Sequence, residues 1–184
     1  ASTSTARFAI RPYPRELESA VAAASGRRLL LRPIRPEDEP ALRYAFSLLS
    51  PESIRMRFFA PLKEMTHELG SRLTQIDYER EMALVLTDPA GTPEPQMYGV
   101  VRISADPDNE KAEFAVIVRD DMTGQGLGEL LMRRIMDYAR SRGIGELFGD
   151  VLVGNEAMLG LCRRLGFGII GGPVAGSVRV ALRL

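Results

Sequence analysis

The sequence predicts an α/β fold in which a mixed, mostly antiparallel sheet carries helices on both faces. Hydrophobic periodicity switches along the chain in the order strand, helices, three strands, helix, strand, helix, strand, strand. The three successive strands are separated by Asp/Pro/Gly-rich turns at 88–95 and 105–109, which favours an antiparallel meander. The 184 residues, 45% hydrophobic and 26% charged, are the size and mix of one ordinary globular domain. Layering helices over both faces of the sheet is the natural way to bury that apolar fraction.

Residues 1–25 read as a lead-in: the polar Ala1-Ser2-Thr3-Ser4-Thr5, the Pro-rich Ile10-Arg11-Pro12-Tyr13-Pro14 and a short Ala-rich stretch. The folded domain is expected over 26–184. Leu29 to Ile34 is a compact apolar run suited to a buried strand. Pro36 stands where a helix begins, and Glu37, Asp38 and Glu39 favour its positive end. Leu42, Ala45, Phe46 and Leu49 give that helix one apolar face. Ser50 and Pro51 open a second helix, and Thr66 caps a third that runs through 74. Glu81 to Leu86, Gln96 to Ile103 and Ala112 to Val118 are the three strands of the meander.

A long helix is predicted from 126 to 142. Leu127, Leu130, Leu131, Ile135, Tyr138 and Ala139 share one face, and Gly143 ends it. Phe148 to Val153 is a strand. Asn155 caps a helix whose apolar side holds Met158, Leu161, Cys162 and Leu165, and Gly166 terminates it. Strands at 167–171 and 177–183 close the chain.

Composition excludes several function classes. Twenty-four basic and 24 acidic side chains balance, so the basic excess of a protein that coats nucleic acid or an anionic membrane is missing. No apolar run approaches the roughly 18 residues of a membrane span. One Cys makes no intramolecular disulfide, and nothing requires an oxidising compartment, so a cytoplasmic setting is expected. Among the basic residues only Lys63 and Lys111 are lysines, and the scattered arginines read as compositional bias rather than a binding face. One His and one Cys make no credible zinc site, and a single histidine argues against a triad hydrolase. No metal ligands are expected. The chain starts without Met and without a signal-peptide core, and is read as part of a longer protein.

The segment richest in chemistry is Val116-Ile117-Val118-Arg119-Asp120-Asp121-Met122-Thr123-Gly124-Gln125-Gly126-Leu127-Gly128. A strand enters a glycine-rich turn and then a helix, so backbone amides and the helix N-terminus form an anion site without a cationic side chain. A dinucleotide fingerprint needs Gly-x-Gly-x-x-Gly, whereas the spacing here is Gly-x-Gly-x-Gly. A P-loop needs a terminal Gly-Lys-Ser/Thr, which is missing. A tight turn with no ligand is the other possibility.

Thr123 to Gly128 resembles motif A of the GCN5-related N-acetyltransferases, Gln/Arg-x-x-Gly-x-Gly/Ala. Gly126 and Gly128 match its glycines, and Thr123 stands where the family prefers Gln or Arg. Asn155 through Phe167, ending Leu165-Gly166-Phe167, resembles motif B. Leu31-Arg32-Pro33-Ile34-Arg35-Pro36, Arg57-Phe58-Phe59 and Ile76-Asp77-Tyr78-Glu79-Arg80-Glu81-Met82, with the Pro-rich lead-in, are similar to one subfamily. It comprises bacterial protein lysine acetyltransferases that also carry an acyl-CoA-synthetase-like regulatory region. On that resemblance residues 1–25 are the tail of an upstream region.

The resemblance implies a GNAT fold and acetyl-CoA as cosubstrate. It places Val116, Ile117, Val118, Thr123, Gly124, Gln125, Gly126, Leu127, Gly128, Glu129 and Asn155 around the cofactor. Glu113 matches the subfamily's general base, although a solvated strand glutamate is the other reading. Many members place a tyrosine that protonates the departing thiolate where this sequence has Cys162, a small core residue, so no side chain stands out for that step. The implied partner is a protein substrate, an AMP-forming acyl-CoA synthetase. Alternatives are a small amine, a protein N-terminus, or a silent CoA-sensing module.

Overall fold

A computed structural model describes residues 12–59 and 62–184. Residues 1–11, the first part of the expected lead-in with its Ile10-Arg11, lie outside the described residues. Among the described residues, eight strands form one sheet in the spatial order β1-β2-β3-β4-β5-β6-β8-β7. They are β1 (Ser19–Ala22), β2 (Arg28–Pro33), β3 (Glu81–Thr87), β4 (Met97–Ala105), β5 (Lys111–Val118), β6 (Glu146–Leu152), β7 (Gly168–Val174) and β8 (Ser177–Arg183). Every neighbouring pair is antiparallel except β5 and β6, which run parallel. The mixed, mostly antiparallel sheet agrees with the sequence reading.

Helices α1 (Glu39–Ser47), α2 (Pro51–Phe58) and α3 (His67–Thr74) cover one face, and α4 (Leu127–Ser141) and α5 (Glu156–Leu165) the other. β3 lies between both layers. Met82, Leu84 and Leu86 enter the core with α4 and α5, while Ala83 and Val85 enter the core under α1–α3. A strand buried on both faces reads as a continuous apolar run, as this one does. The caps form where expected. Ser50 accepts from the Ser53 amide at 3.1 Å, Thr66 from Leu69 at 3.1 Å and Asn155 from Met158 at 3.2 Å. Gly166 takes φ +95° to end α5.

Two differences from the sequence reading have physical causes. The sheet begins inside the stretch set aside as a lead-in: Ser19 pairs with Leu31 and Ala22 with Arg28. Four half-exposed edge residues carry too little periodicity to announce a strand. β6 starts two residues before Phe148, because the amides of Gly145 and Glu146 both donate to the Glu110 carbonyl, at 3.0 and 3.1 Å.

The parallel pair is what opens the molecule. β5 and β6 register only over Lys111↔Glu146, Ala112↔Leu147 and Glu113↔Phe148. β5 continues along β4 to Val118, and β6 continues along β8 to Leu152. Past Glu113 the two strands therefore diverge within the sheet. At the fork the Phe114 ring lies over Gly149, so that a β-carbon on residue 149 would sit 2.7 Å from the ring. The same ring packs edge-on against Phe167, centroids 5.2 Å apart.

Gly149→Val is expected to lower stability by about 1–3 kcal/mol, the usual range for overpacking, with the urea midpoint as readout. Cys162 is 1% exposed, and burial pushes its thiol up to about 11. The folded protein resists ionising this thiol while the unfolded chain releases its proton near pH 9, so stability falls as pH rises from about 9 to about 11. Melting temperature against pH should drop more steeply over that window in the parent than in Cys162→Ala.

Candidate active site

β5 alternates its side chains: Ala112, Phe114 and Val116 are buried towards α4 and α5, while Glu113, Ala115 and Ile117 face the side of α1–α3. Glu113 is thus the last residue before the strands part, exposed at the apex of the fork. Among the described residues its carboxylate has no hydrogen bond or ion pair. Arg57 and Arg179 act on it only through longer-range charge. Arg179 is itself engaged by Asp150, at 3.0 and 3.2 Å.

β5 ends in the turn 119–126. Gly124 and Gly126 adopt φ +78° and +74°, and nothing lies within 4 Å of a β-carbon built on either. That left-handed backbone, open on its outer side, is one that only glycine adopts without strain. Gly126 is the N-cap of α4 and offers no side-chain acceptor. The amides of Leu127, Gly128 and Glu129 are the unsatisfied first turn of the helix, and among the described residues none has a protein acceptor. Their dipoles sum with the helix's to favour an anion there.

The diverging strands, this turn, α5 and α2 enclose a cleft of about 760 Å³. Glu113, Val116, Ile117, Val118, Thr123, Gly124, Gly126, Leu127, Gly128 and Asn155 all line it. Two residues singled out from sequence do not. Gln125 turns away, accepting from Ser25 at 2.9 Å, and Glu129 pairs with Arg133 at 3.4 Å. Cys162 faces the core and does not line the cleft, and among the described residues no tyrosine does. Among the described residues no group of three or more His, Cys, Asp or Glu could hold a metal ion, and no helix is long and apolar enough to cross a membrane.

The wall supplied by α2 was largely invisible in the sequence. Ser53, Met56, Arg57, Phe58 and Phe59 line the cleft. Asp120 ties this wall to the glycine turn: it accepts from the Ser50 amide at 2.7 Å and from the Ser53 hydroxyl at 2.7 Å. The partners are 67 and 70 positions apart, so no local pattern could reveal them. Only Arg57-Phe58-Phe59 had been marked, and only as part of a resemblance.

A sheet split beside a glycine-lined helix start, with a free carboxylate at the fork, defines a transferase-type cleft. The chain belongs to the GNAT acetyltransferase family: residues 28–168 match the profile of the acetyltransferase (GNAT) domain. It is 37% identical over 143 residues to acetyltransferase PA5475 of Pseudomonas aeruginosa, covering 77% of this chain and 76% of that protein. The crystal structure of the GNAT domain of S. lividans PAT superposes with a TM-score of 0.84 at 27% identity, covering 94% of this chain and 99% of that one. A shorter stretch of 59 residues is 44% identical to the L-methionine sulfoximine/L-methionine sulfone acetyltransferase of Pseudomonas aeruginosa, covering 32% of this chain and 34% of that protein. Members of the family draw the acetyl group from acetyl-CoA.

Gly126→Val should weaken acetyl-CoA binding at least tenfold by calorimetry, because the side chain enters the open mouth of the turn. Gly91→Val imposes a similar left-handed strain, at φ +86°, in a turn outside the cleft. It should leave acetyl-CoA affinity unchanged.

Proposed function

We propose that this chain transfers the acetyl group of acetyl-CoA to lysine side chains of a protein, with Glu113 as general base. The observation that carries the reading is the unpaired Glu113 carboxylate at the fork, in the same cleft as the open glycine turn. The cradle fits the cofactor: the space beside Gly124 and Gly126 lets a pyrophosphate approach the backbone, and the free amides of Leu127 and Gly128 supply donors. Thr123, Val116, Ile117, Val118 and Asn155 would flank the rest of it. When bound, acetyl-CoA supplies an acyl thioester, which is open to attack by a neutral amine.

A lysine ammonium of pKa about 10.4 must first lose a proton, which costs about 4–5 kcal/mol at pH 7. Glu113 accepts that proton. It is exposed and, among the described residues, hydrogen-bonds to nothing, so its oxygens are free to receive it. Along β5 beyond Glu113 the edge facing β6 is unpaired, so a backbone amide of residues 116–118 can donate to the oxygen that gains negative charge during transfer. Cys162 does not line the cleft, and burial pushes its thiol up to about 11. As the amide forms, the nitrogen gives up its second proton, which passes through water to the departing thiolate.

Two things support a protein acceptor. The likeness to the S. lividans PAT domain runs nearly the full length of both chains. The cleft rim also carries Phe59, 47% exposed, an apolar surface that a macromolecule would cover on docking. By the subfamily resemblance the acceptor is an AMP-forming acyl-CoA synthetase. A small amine is the second reading, favoured by the 59-residue match to an amino-acid-analogue acetyltransferase. Thiol release from acetyl-CoA in the presence of a synthetase, small amines or neither separates these readings. Release with no acceptor preference, or none at all, counts against the first.

Glu113→Gln should lower turnover about a hundred- to ten-thousand-fold at pH 7 while acetyl-CoA affinity stays near the parental value. The defect should shrink towards pH 10 as free lysine becomes neutral by itself. Turnover against pH, with cofactor affinity measured separately, checks both halves.

A further inference from the structure

We propose that Arg57, backed by Arg102, is a subsite for a carboxylate carried by the acceptor molecule. The inference rests on the acetyl transfer proposed above and names what else the acceptor must carry.

The fold neutralises its most covered guanidinium groups with carboxylates. Arg32, 5% exposed, holds Asp38 through two bonds of 2.7 and 2.6 Å. Arg119, 7% exposed, holds Asp121 at 3.0 and 2.6 Å and also donates to Gln96 at 2.7 Å. Both are neutralised in the forked geometry that suits a guanidinium. Arg57 and Arg102 break that pattern. Arg57 sits in the last turn of α2, half-buried, with its guanidinium 4.6 Å from the Phe58 ring. Among the described residues, none of its N–H groups has an acceptor. Arg102, on β4 and also half-buried, has one, the Leu73 carbonyl at 3.0 Å.

The two cations also repel each other. Burial, helped by the Arg57 charge, pushes Arg102 down to about 10, and burial lowers Arg57 as well. Arg102 stays charged at neutral pH. Covering uncompensated charge is costly, and the cost falls sharply when an anion is supplied in the guanidinium plane.

Position says which molecule brings that anion. Arg57 lines both a cavity of about 50 Å³ under α1 and α2 and the large cleft that holds Glu113. Glu113 is the carboxylate whose charge acts on Arg57, but it makes no direct bond to it. The cofactor's phosphates have their own donors at the start of α4, on a different wall of the cleft. A molecule whose amine meets Glu113 therefore presents its neighbouring groups to Arg57. The chemistry that fits is a carboxylate a few bonds from the amine's surroundings. Its source is either an Asp or Glu side chain beside the acetylated lysine, or the carboxylate of a free amino acid.

The test compares paired acceptors that differ only in this charge. One pair is a lysine peptide flanked by Glu against the same peptide flanked by Gln. The other is L-methionine sulfone against its carboxamide. Thiol release is measured for the parent, Arg57→Met and Arg57→Lys, with acetyl-CoA affinity and melting temperature determined for each. The parent should favour the carboxylate member of one pair at least tenfold in kcat/KM, and the pair concerned identifies the source. That ratio should fall to within twofold in Arg57→Met and drop clearly in Arg57→Lys, which lacks the fork.

Arg57→Met should melt at or above the parental temperature, because an unpaired covered charge has been removed, and should bind acetyl-CoA as the parent does. Should Arg57→Met not fold, an undiminished ratio in Arg57→Lys overturns the proposal. Equal rates within both pairs for the parent, a ratio that survives in Arg57→Met, or lost acetyl-CoA affinity in that variant would also overturn it. If no acceptor is acetylated at all, the transfer reading fails instead. Calorimetry with glutarate then decides the subsite alone: binding to the parent that Arg57→Met loses upholds it, and no binding to the parent overturns it.

Discussion

The Phe114 ring over Gly149 is the contact on which the rest of the molecule depends. Parallel pairing of β5 and β6 stops after Glu113↔Phe148, and at the next position the ring occupies the space above the β6 backbone. Without a β-carbon at 149 the ring can lie flat there and reach Phe167 on the segment after α5. The strands beyond it diverge, so one stretch of β5 backbone faces a cleft instead of a neighbour. That single divergence puts Glu113 at an apex, turns the end of β5 towards the glycine turn, and gives α5 a wall to cover. Unpaired backbone is costly only when it is buried away from water, and here that stretch of β5 lines an open cleft.

The cleft's two halves are held in register by Asp120. One carboxylate accepts from Ser50 and Ser53 at the start of α2 while its own residue begins the turn that leads to α4. The glycine turn and the start of α2 therefore share a polar tie. The other end of α2 carries Arg57, Phe58 and Phe59. Phe59 closes the helix at φ +57°, which projects it from the C-cap onto the rim of the cleft. Arg32 with Asp38 does similar work at the start of α1, where two covered charges join β2 to the helix layer.

Much of this was legible in the sequence where the signal is local. The caps at Ser50, Thr66 and Asn155 bond to amides three residues on, so residue type and spacing suffice to find them. The glycine turn was legible because positive φ at 124 and 126 demands glycine. The apolar faces of α1, α4 and α5 follow from period alone. β1 was not legible, because a short, half-exposed edge strand has no periodic signature. Gln125 in the turn and Glu129 in the first turn of α4 point away from the cleft, and residue spacing does not encode which way a side chain points.

By itself the sequence determined the order of elements from β2 onward, the sheet class and the glycine-rich turn before α4. The reason is that each depends on residues close together in the chain. Only the tertiary structure decided that β5 and β6 part after three pairs, that Asp120 holds α2, and which arginines matter. In the sequence Arg32, Arg57, Arg102 and Arg119 look alike, and together they read as compositional bias. Their meaning lies in whether a carboxylate from a neighbouring element reaches them, and a distance between elements is set only when the sheet and its two helical layers pack.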